Sequence, residues 1–311
     1  MINQMRNQIR KIFGPAMDPK INELRAELQS LKLVMGKSMA HNVKSMGIVG
    51  DIHDAEFKVF SQFGDDGIIQ YLVHHTKPAD KRFIEFGVEN YTEANTRFLL
   101  MNNNWSGLIM DGDPANMEFV RRSPDFWRYD LQAVAQFIDR DNINALFEAA
   151  GFTGEIGLLS VDIDGNDYWV WEAIHVVDPV IVTVEYNSVF GVEHAITIPY
   201  DPAFNRTRAH SSNLYWGTSL KALCLLAEKK GYSFVGCNSA GNNAHFVRKD
   251  KVGEIPVKSA EQGYVESKFR ESRDKDGNLT YLRSKQRLEL IKEMQVVDIE
   301  HGITIQLQEL S

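Results

Sequence analysis

The sequence predicts an α/β fold built on a doubly wound, mostly parallel sheet, with a helical extension at the N-terminus. Three observations lead to this fold class. From about residue 55, short apolar runs alternate with helical patterns, which is typical of a parallel sheet with crossover helices. The last two apolar runs are separated only by a segment rich in Gly, Asn and Ser. Residues 1–45 carry an amphipathic helical pattern instead.

Six apolar runs are the candidate strands, because they are short and bounded by turn-forming residues. In chain order they are Arg82–Phe86, Gly107–Met110, Gly157–Val161, Val180–Val184, Ser233–Gly236 and Ala244–Val247. Cys237–Asn243 joins the last two runs, so we expect these to pair as an antiparallel hairpin on one edge of the sheet.

Helical patterns lie between these runs and supply the crossover connections. The predicted helices are Gly67–His75, Thr92–Asn103, Asn116–Arg122, Ile143–Ala150, Tyr168–His175 and Leu214–Lys230. Because crossovers between parallel strands are right-handed, this order of elements gives an open, doubly wound sheet.

Residues 1–45 form a separate N-terminal arm. A first helix is predicted to end before Gly14 and Pro15, and its face is basic. After that break, a heptad stripe of about two repeats consists of Ile21, Leu24, Leu28, Leu31 and Met35. Two repeats do not hold a coiled coil alone, so the arm is predicted to join a homo-oligomer or to pack on its own domain. Contact of the basic first helix with an anionic membrane surface is an alternative.

The C-terminal residues 251–311 are highly charged, with a turn at 276–278 and a predicted helix at Lys285–Met294. We interpret them as a tail that acts as a lid or as a second dimer element. The chain is therefore divided into an arm (1–45), a main domain (46–250) and this tail.

Composition excludes several classes of protein. The 311 residues are 43% hydrophobic and 24% charged, as in ordinary globular proteins, and no segment is long and apolar enough for a transmembrane helix. The net charge of −8 argues against nucleic acid as a partner. Two cysteines without a CxxC spacing and the lack of a signal-peptide pattern favour a cytoplasmic location.

The first strand ends in a glycine with acidic neighbours. Gly87 would let a ligand approach the backbone beyond the strand, where open α/β sheets bind ligands. The GxGxxG pattern of dinucleotide sites and the GxxxxGK[ST] pattern of P-loops are both missing. Glu85 and Glu89 would repel phosphates and suit a ligand with a positive charge.

The second strand ends in Asp111, in the sequence LIMDGDP. A carboxylate at this place is the usual partner of ribose hydroxyls. Alternatively, Asp111 and Asp113 form a turn and cap the helix that follows Pro114.

Acidic residues are densest after the predicted strands Gly157–Val161 and Val180–Val184. Asp162 and Asp164 follow one strand, and Glu185 and Asn187 end the next. Adjacent strand ends would bring them near one ligand, so Asp164, Glu185 and Asn187 are candidate ligands for Mg²⁺. Helix capping and turn formation by the same residues is the alternative.

Taken in order, the runs FIEFGVEN, LIMDGDP, LLSVDIDGNDYWVWEAI and VEYN resemble the Rossmann-like methyltransferases that use S-adenosylmethionine, closest to the FkbM-type O-methyltransferases. The resemblance covers roughly residues 55–250, and it makes 46–250 the methyltransferase domain. It implies a seven-stranded sheet whose last strand is an antiparallel hairpin partner. It also implies that Glu85 and Gly87 line the methionine part of the cofactor and that Asp111 binds the ribose. Gln62, in an upstream element of the same resemblance, and Asp162 are further candidates for cofactor binding.

On this basis we expect methyl transfer to a hydroxyl of a small-molecule acceptor, a sugar or glycan precursor. Asp164 is the candidate base, and His194 or His210 is the alternative in an enzyme without metal. The loop that contains these histidines also carries Arg206 and Arg208, which suit a sugar bearing phosphate or carboxylate. Two other functions stay open: a non-catalytic glycan-assembly module on the same fold, and a nicotinamide-dependent sugar oxidoreductase.

Overall fold

The computed structural model describes residues 2–124 and 126–310, except for the side chains of residues 2–19 and 22. Its strands are β1 (Arg82–Phe86), β2 (Ser106–Asp111), β3 (Leu131–Ala135), β4 (Gly154–Val161), β5 (Val177–Glu185), β6 (Ile196–Thr197), β7 (Tyr232–Cys237), β8 (Asn243–Arg248), β9 (Gln295–Asp298) and β10 (Ile303–Gln306). Its α-helices are α1 (Ile2–Ser45), α2 (Asp65–Thr76), α3 (Arg97–Asn103), α4 (Pro114–Arg121), α5 (Ile143–Ala149), α6 (Asp167–Ala173), α7 (Arg206–Ala209), α8 (Leu220–Lys230), α9 (Ala260–Gly263) and α10 (Lys285–Ile291). Within these described ranges, no helix has the length and apolar character needed to cross a membrane.

Seven strands form the central sheet in the order β3-β2-β1-β4-β5-β8-β7. The strands β1 to β5 pair in parallel, whereas β8 is antiparallel to both β5 and β7. The predicted hairpin is therefore confirmed, and so is the doubly wound, mostly parallel seven-stranded sheet that the methyltransferase resemblance implied.

Two hydrophobic cores lie on opposite faces of this sheet. Neighbouring residues of a strand belong to different cores, as the alternation of side chains in a strand requires: Phe83 and Leu158 are in one, and Ile84 and Leu159 are in the other. All four side chains are fully buried. Helices cover both faces, so the ligand-binding edge of the sheet remains at the carboxyl ends of the strands.

A second, three-stranded sheet in the order β10-β9-β6 joins the C-terminal residues to the segment that follows β5. It has its own small core, which includes Ile196, Tyr215, Ile291 and Val296. Residues 251–310 are thus packed on the main domain through this sheet and core. The predicted helix at Lys285–Met294 is present but ends at Ile291.

The helix α1 differs from the prediction at Gly14 and Pro15, because the backbone continues as one helix through both residues. A proline inside a helix removes one hydrogen bond but keeps φ close to its helical value, so the turns on either side can continue. Gly36, Ala40 and Val43 form the part of α1 that packs on the main domain. The predicted heptad residues Leu24, Leu28, Leu31 and Met35 are 57–69% exposed.

Candidate functional site

The first cavity, of about 420 Å³, opens at the carboxyl ends of β1, β2 and β4. Gly87, Asp111, Asp162 and Asp164 are among its walls. Between β1 and β4 the direction in which successive strands are added reverses, and such switch points are where open α/β sheets bind ligands. The sequence therefore predicted the place of this cavity correctly.

Gly87 is required by a close approach of two strand ends. Its φ of +76° lies in the left-handed region, and a Cβ atom here would lie 1.5 Å from the main-chain oxygen of Asp162. No other residue has the necessary freedom and small size. The glycine thus brings the chain after β1 against the chain after β4, and it leaves room for a ligand above them.

Asp111 has the turn-forming role that the sequence offered as one of two alternatives. Its Oδ1 accepts hydrogen bonds from Asp113 N (2.8 Å) and Asn116 Nδ2 (3.0 Å), and its Oδ2 accepts one from Glu89 N at 2.8 Å. It is therefore a turn former. A carboxylate oxygen can accept two hydrogen bonds, so Oδ2 keeps one acceptor site for a ligand in the first cavity.

An aromatic wall of the first cavity was missed in the sequence. Gln136, Phe137 and Ile138 follow β3 and line the cavity, and the side chain of Phe137 is 53% exposed. They were missed because β3 itself was not predicted: it is a short, half-exposed edge strand without a continuous apolar run.

Glu85 is placed differently from its predicted role beside the cofactor. Its carboxylate accepts hydrogen bonds from Asn95 N (2.8 Å) and Thr96 N (2.9 Å), and from the Thr96 hydroxyl. It is buried, which raises its pKa. Among the described residues that line the first cavity, Glu85 is absent. Its carboxylate instead holds the loop between β1 and α3, and α3 begins only after Thr96.

The second cavity, of about 240 Å³, lies at the end of β5. Glu185 and Trp216 belong to its walls, and the C-terminal segment adds Phe269 and Arg287. Gln62, predicted to touch the cofactor, lines this second cavity. The segment that precedes Gln62 is held because Asp66 Oδ2 accepts three main-chain N–H bonds, from Val59, Phe60 and Ser61, at 2.7–2.8 Å.

Arg206 and Glu271 line both cavities and form the boundary between them. Arg206 Nη1 is 2.6 Å from Asp164 Oδ1, and its Nη2 is 3.5 Å from Glu271 Oε2. Its guanidinium also lies over the ring of Trp216, 4.5 Å from the ring centre. These contacts connect the chain after β4, the helix α7 and the C-terminal segment at a single side chain.

Buried carboxyls of neighbouring strand ends meet beside this boundary. Val161 and Val184 are paired in the sheet, so Asp162 and Glu185 are the next residues of adjacent strands. Burial raises the pKa of both carboxyls well above the ordinary range, and the negative charge of nearby Asp164 raises both further. Asp162 also raises the pKa of Glu185, whereas a hydrogen bond with Glu185 lowers that of Asp162. Burial also raises the pKa of Asp167 to about 6. Such a cluster disfavours anionic ligands.

The predicted magnesium ligands do not form a metal site. The side-chain amide of Asn187 hydrogen-bonds to the main chain of the protein. Its Nδ2 donates to the carbonyls of Leu214 and Trp216, both at 2.9 Å, and its Oδ1 accepts from Val189 N. Asp164 is paired with Arg206. In the described part of the chain, no three His, Cys, Asp or Glu side chains are grouped to hold one metal ion. The expectation of Mg²⁺ is not supported, because Asp164 and Asn187 already bind protein groups.

The two candidate histidines lie away from this centre. His210 Nδ1 is 2.7 Å from Ser212 Oγ, and the His194 carbonyl accepts a hydrogen bond from Ser219 Oγ at 2.8 Å. Neither histidine occurs among the described lining residues of the two cavities. Asp164, the other candidate base, does line the first cavity.

Comparison with solved structures gives matches to methyltransferases. The N-terminal domain of EvdMO1 with SAH bound is 12% identical, with a TM-score of 0.39 over 72% of this chain and 94% of that one. An O-methyltransferase from Bacillus cereus in complex with SAH is 10% identical, with a TM-score of 0.40 over 69% and 91%. A methyltransferase from Clostridium acetobutylicum that depends on S-adenosylmethionine is 10% identical, with a TM-score of 0.39 over 59% and 90%.

No protein-family model and no curated protein matches the chain. All three TM-scores are below 0.5. The fold is therefore defined by the strand order of this chain, and the site is defined by the contacts of its own residues.

Proposed function

We propose that the chain is a methyltransferase that uses S-adenosylmethionine and that the first cavity binds this cofactor. One observation carries the proposal: two cavities meet at the carboxyl ends of β4 and β5, and they share Arg206 and Glu271 as a boundary. A group-transfer enzyme needs such an arrangement, because its two substrates must come into direct contact. The resemblance of the sequence to methyltransferases supports the same function.

The residues of the first cavity fit the parts of this cofactor. The free acceptor site of Asp111 Oδ2 suits a ribose hydroxyl, and Phe137 with Ile138 offers an apolar wall for the adenine ring. The backbone next to Gly87 can approach the methionine part. Asp162 and Asp164 line the same cavity and suit the positive charges of the ammonium and sulfonium groups.

When bound, S-adenosylmethionine supplies an electrophilic methyl group. The chain aligns the acceptor with it, which in favourable cases contributes about 7–11 kcal/mol to lowering the barrier. The proton of the acceptor must also be removed. Asp164 remains the candidate base, because it lines the first cavity next to Arg206 on the boundary.

We propose O-methylation of a sugar or glycan-precursor hydroxyl as the reaction. The support is the mixture of aromatic and hydrogen-bonding side chains in the second cavity, among them Trp216, Phe269 and Gln62. Such mixed walls suit a small ligand with both apolar and polar faces.

Calorimetric titration of the full chain with S-adenosylmethionine, S-adenosylhomocysteine and NAD⁺ tests the proposed function. We expect one site for each of the first two ligands and no heat of binding for NAD⁺, whose phosphates would meet the acidic walls. Binding of NAD⁺ without binding of S-adenosylhomocysteine would indicate the oxidoreductase instead. Binding of neither ligand would favour a non-catalytic module.

A further inference from the structure

We propose that the second cavity is the acceptor site and that it takes one uncharged sugar ring. The proposal rests on the proposed function, because an acceptor site has meaning only beside a bound cofactor. Three properties of the cavity carry it: its buried unpartnered oxygen, its aromatic lining and the neutralisation of its cations.

The first property is a buried carboxyl oxygen without a partner. Glu185 is 9% exposed, and its Oε2 has no hydrogen-bond partner among the described residues. A buried polar atom without a partner is unfavourable, so a ligand group that hydrogen-bonds to it gains affinity. A ring hydroxyl both donates and accepts, so it suits this oxygen in either protonation state of the carboxyl. Since Glu185 is next to Asp162 of the first cavity, this contact directs the ring toward the cofactor side.

The second property is the aromatic lining. Phe269 is 38% exposed and packs on the ring of Phe63, with 4.8 Å between the ring centres. Trp216 also lines the cavity, but the guanidinium of Arg206 lies over its ring, so Phe269 offers the more open face. Sugar rings present C–H faces that pack against aromatic rings while their hydroxyls point to polar groups. The cavity of about 240 Å³ is below the roughly 300–1,000 Å³ of pockets for drug-sized ligands, so it suits a single ring.

The third property is charge, and it decides the class of sugar. Both arginines of the cavity are already paired: Arg206 with Asp164 and Glu271, and Arg287 with Glu266 at 2.9 Å. Arg287 is also 97% buried and donates to the carbonyl of Phe269, while its Nε has no partner among the described residues and can donate to a sugar oxygen. A phosphate or carboxylate on the acceptor would therefore find no uncompensated cation among the described wall residues. The proposal thus favours a neutral sugar over the acidic one suggested by the basic loop in the sequence.

The experiment measures sugar binding to the full chain saturated with S-adenosylhomocysteine. Saturation-transfer NMR and calorimetry would compare glucose, galactose and mannose with the corresponding uronic acids and amino sugars. We expect at least one neutral sugar to bind at least tenfold more tightly than its acidic and amino counterparts. Equal or tighter binding of a uronic acid or an amino sugar overturns the proposal, and so does the absence of any sugar binding.

Two variants locate the site. Glu185→Leu removes the unpartnered oxygen, and Phe269→Ala removes one wall; each should weaken sugar binding at least fivefold and change the affinity for S-adenosylhomocysteine less than twofold. Phe119→Ala, on the exposed side of α4, is the matched control and should change neither. Unchanged sugar binding in Phe269→Ala overturns the proposal even if Glu185→Leu fails to fold. If the wild-type chain does not bind S-adenosylhomocysteine, the proposed function itself fails.

Discussion

At the scale of single residues, the strand ends were predictable and the partners of their side chains were not. Gly87 and Asp111 stand at the first cavity because a glycine and a carboxylate after apolar runs mark strand ends. The sequence could not show that the Glu85 carboxylate accepts hydrogen bonds from Asn95 and Thr96. Nor could it show that the Asn187 amide donates a hydrogen bond to the loop before α8. Such contacts depend on which loops fold back onto the strand end.

A substitution at Gly87 tests the close approach of β1 and β4. In Gly87→Ala, the new Cβ would meet the Asp162 carbonyl at 1.5 Å, and the φ of +76° adds strain. Gly151→Ala is the matched control, because Gly151 has a φ of +78° with nothing near its Cβ position. We expect the control to cost about 1–2 kcal/mol in the free energy of unfolding and Gly87→Ala to cost more than about 3 kcal/mol. Urea denaturation measures both, and equal costs would contradict the close approach.

Asp66 links the pH dependence of stability to the loop that carries Gln62. Burial raises its pKa to about 6 from 3.8, against the lowering effect of its hydrogen bonds. Between these two values the folded chain keeps a proton that the unfolded chain has lost, so Asp66 makes the free energy of unfolding fall as pH rises through this window. Above pH 6 its contribution is constant.

The comparison of wild type with Asp66→Asn isolates this effect, because the other titrating groups are common to both. The wild-type free energy of unfolding minus that of the variant should fall from pH 4 to pH 6 and then level off. Urea denaturation at half-unit pH steps gives this difference. A difference that stays constant across the window would show that Asp66 titrates normally.

At the scale of elements, long apolar runs were predicted well and short or half-exposed ones were missed. The six predicted strands are all present, whereas β3, β6, β9 and β10 were not predicted. These four are two to five residues long, and β9 and β10 are partly exposed, so local hydrophobic pattern does not mark them. Two helices are shorter than predicted for a local reason: Glu85 holds residues 95 and 96 outside α3, and Ser219 caps α8.

The homo-oligomer that the sequence predicts would form through the helix α1. This helix has 44 residues and is therefore about 66 Å long, but its contacts with the main domain lie near its C-terminal end. The heptad stripe faces away from that contact and is exposed in one chain. We propose that the same stripe of a second copy covers it, because leucines at both heptad positions favour helix pairing.

Charged residues in the stripe should separate the copies. Leu24→Asp combined with Leu28→Asp is expected to reduce the molar mass in light scattering to that of a single chain. Ser30→Asp, on the opposite face of the helix, is the control and should keep the wild-type mass. If the wild type already has the mass of one chain, or if the double variant keeps the mass of the oligomer, the stripe does not assemble the protein.

At the scale of the whole molecule, the two cavities are formed by segments that are far apart in the sequence. The C-terminal residues were predicted as a lid or a dimer element, and they supply Phe269, Glu271 and Arg287 to the walls. Their position depends on the pairing of β9 with β6 and on a small separate core. No local pattern in the sequence predicts such long-range pairing. The first cavity, by contrast, is lined by strand-end residues that the sequence already marked, among them Gly87 and Asp111.

The central claim is that the first cavity binds the cofactor through Asp111, and the affinity of Asp111→Asn for S-adenosylhomocysteine tests it most directly. The amide keeps an oxygen for the turn but removes a charged acceptor, and one or two such hydrogen bonds at roughly 1.5–3 kcal/mol each correspond to a loss of about tenfold or more. Asp113→Asn, which retains the cap of α4 outside the cavity, should bind like the wild type. By isothermal titration calorimetry below the unfolding transition of each variant, a loss of affinity confined to Asp111→Asn is the result we predict, although this variant also loses one carboxylate acceptor of the turn. Equal affinities for wild type and Asp111→Asn would contradict the assignment of the first cavity to the cofactor.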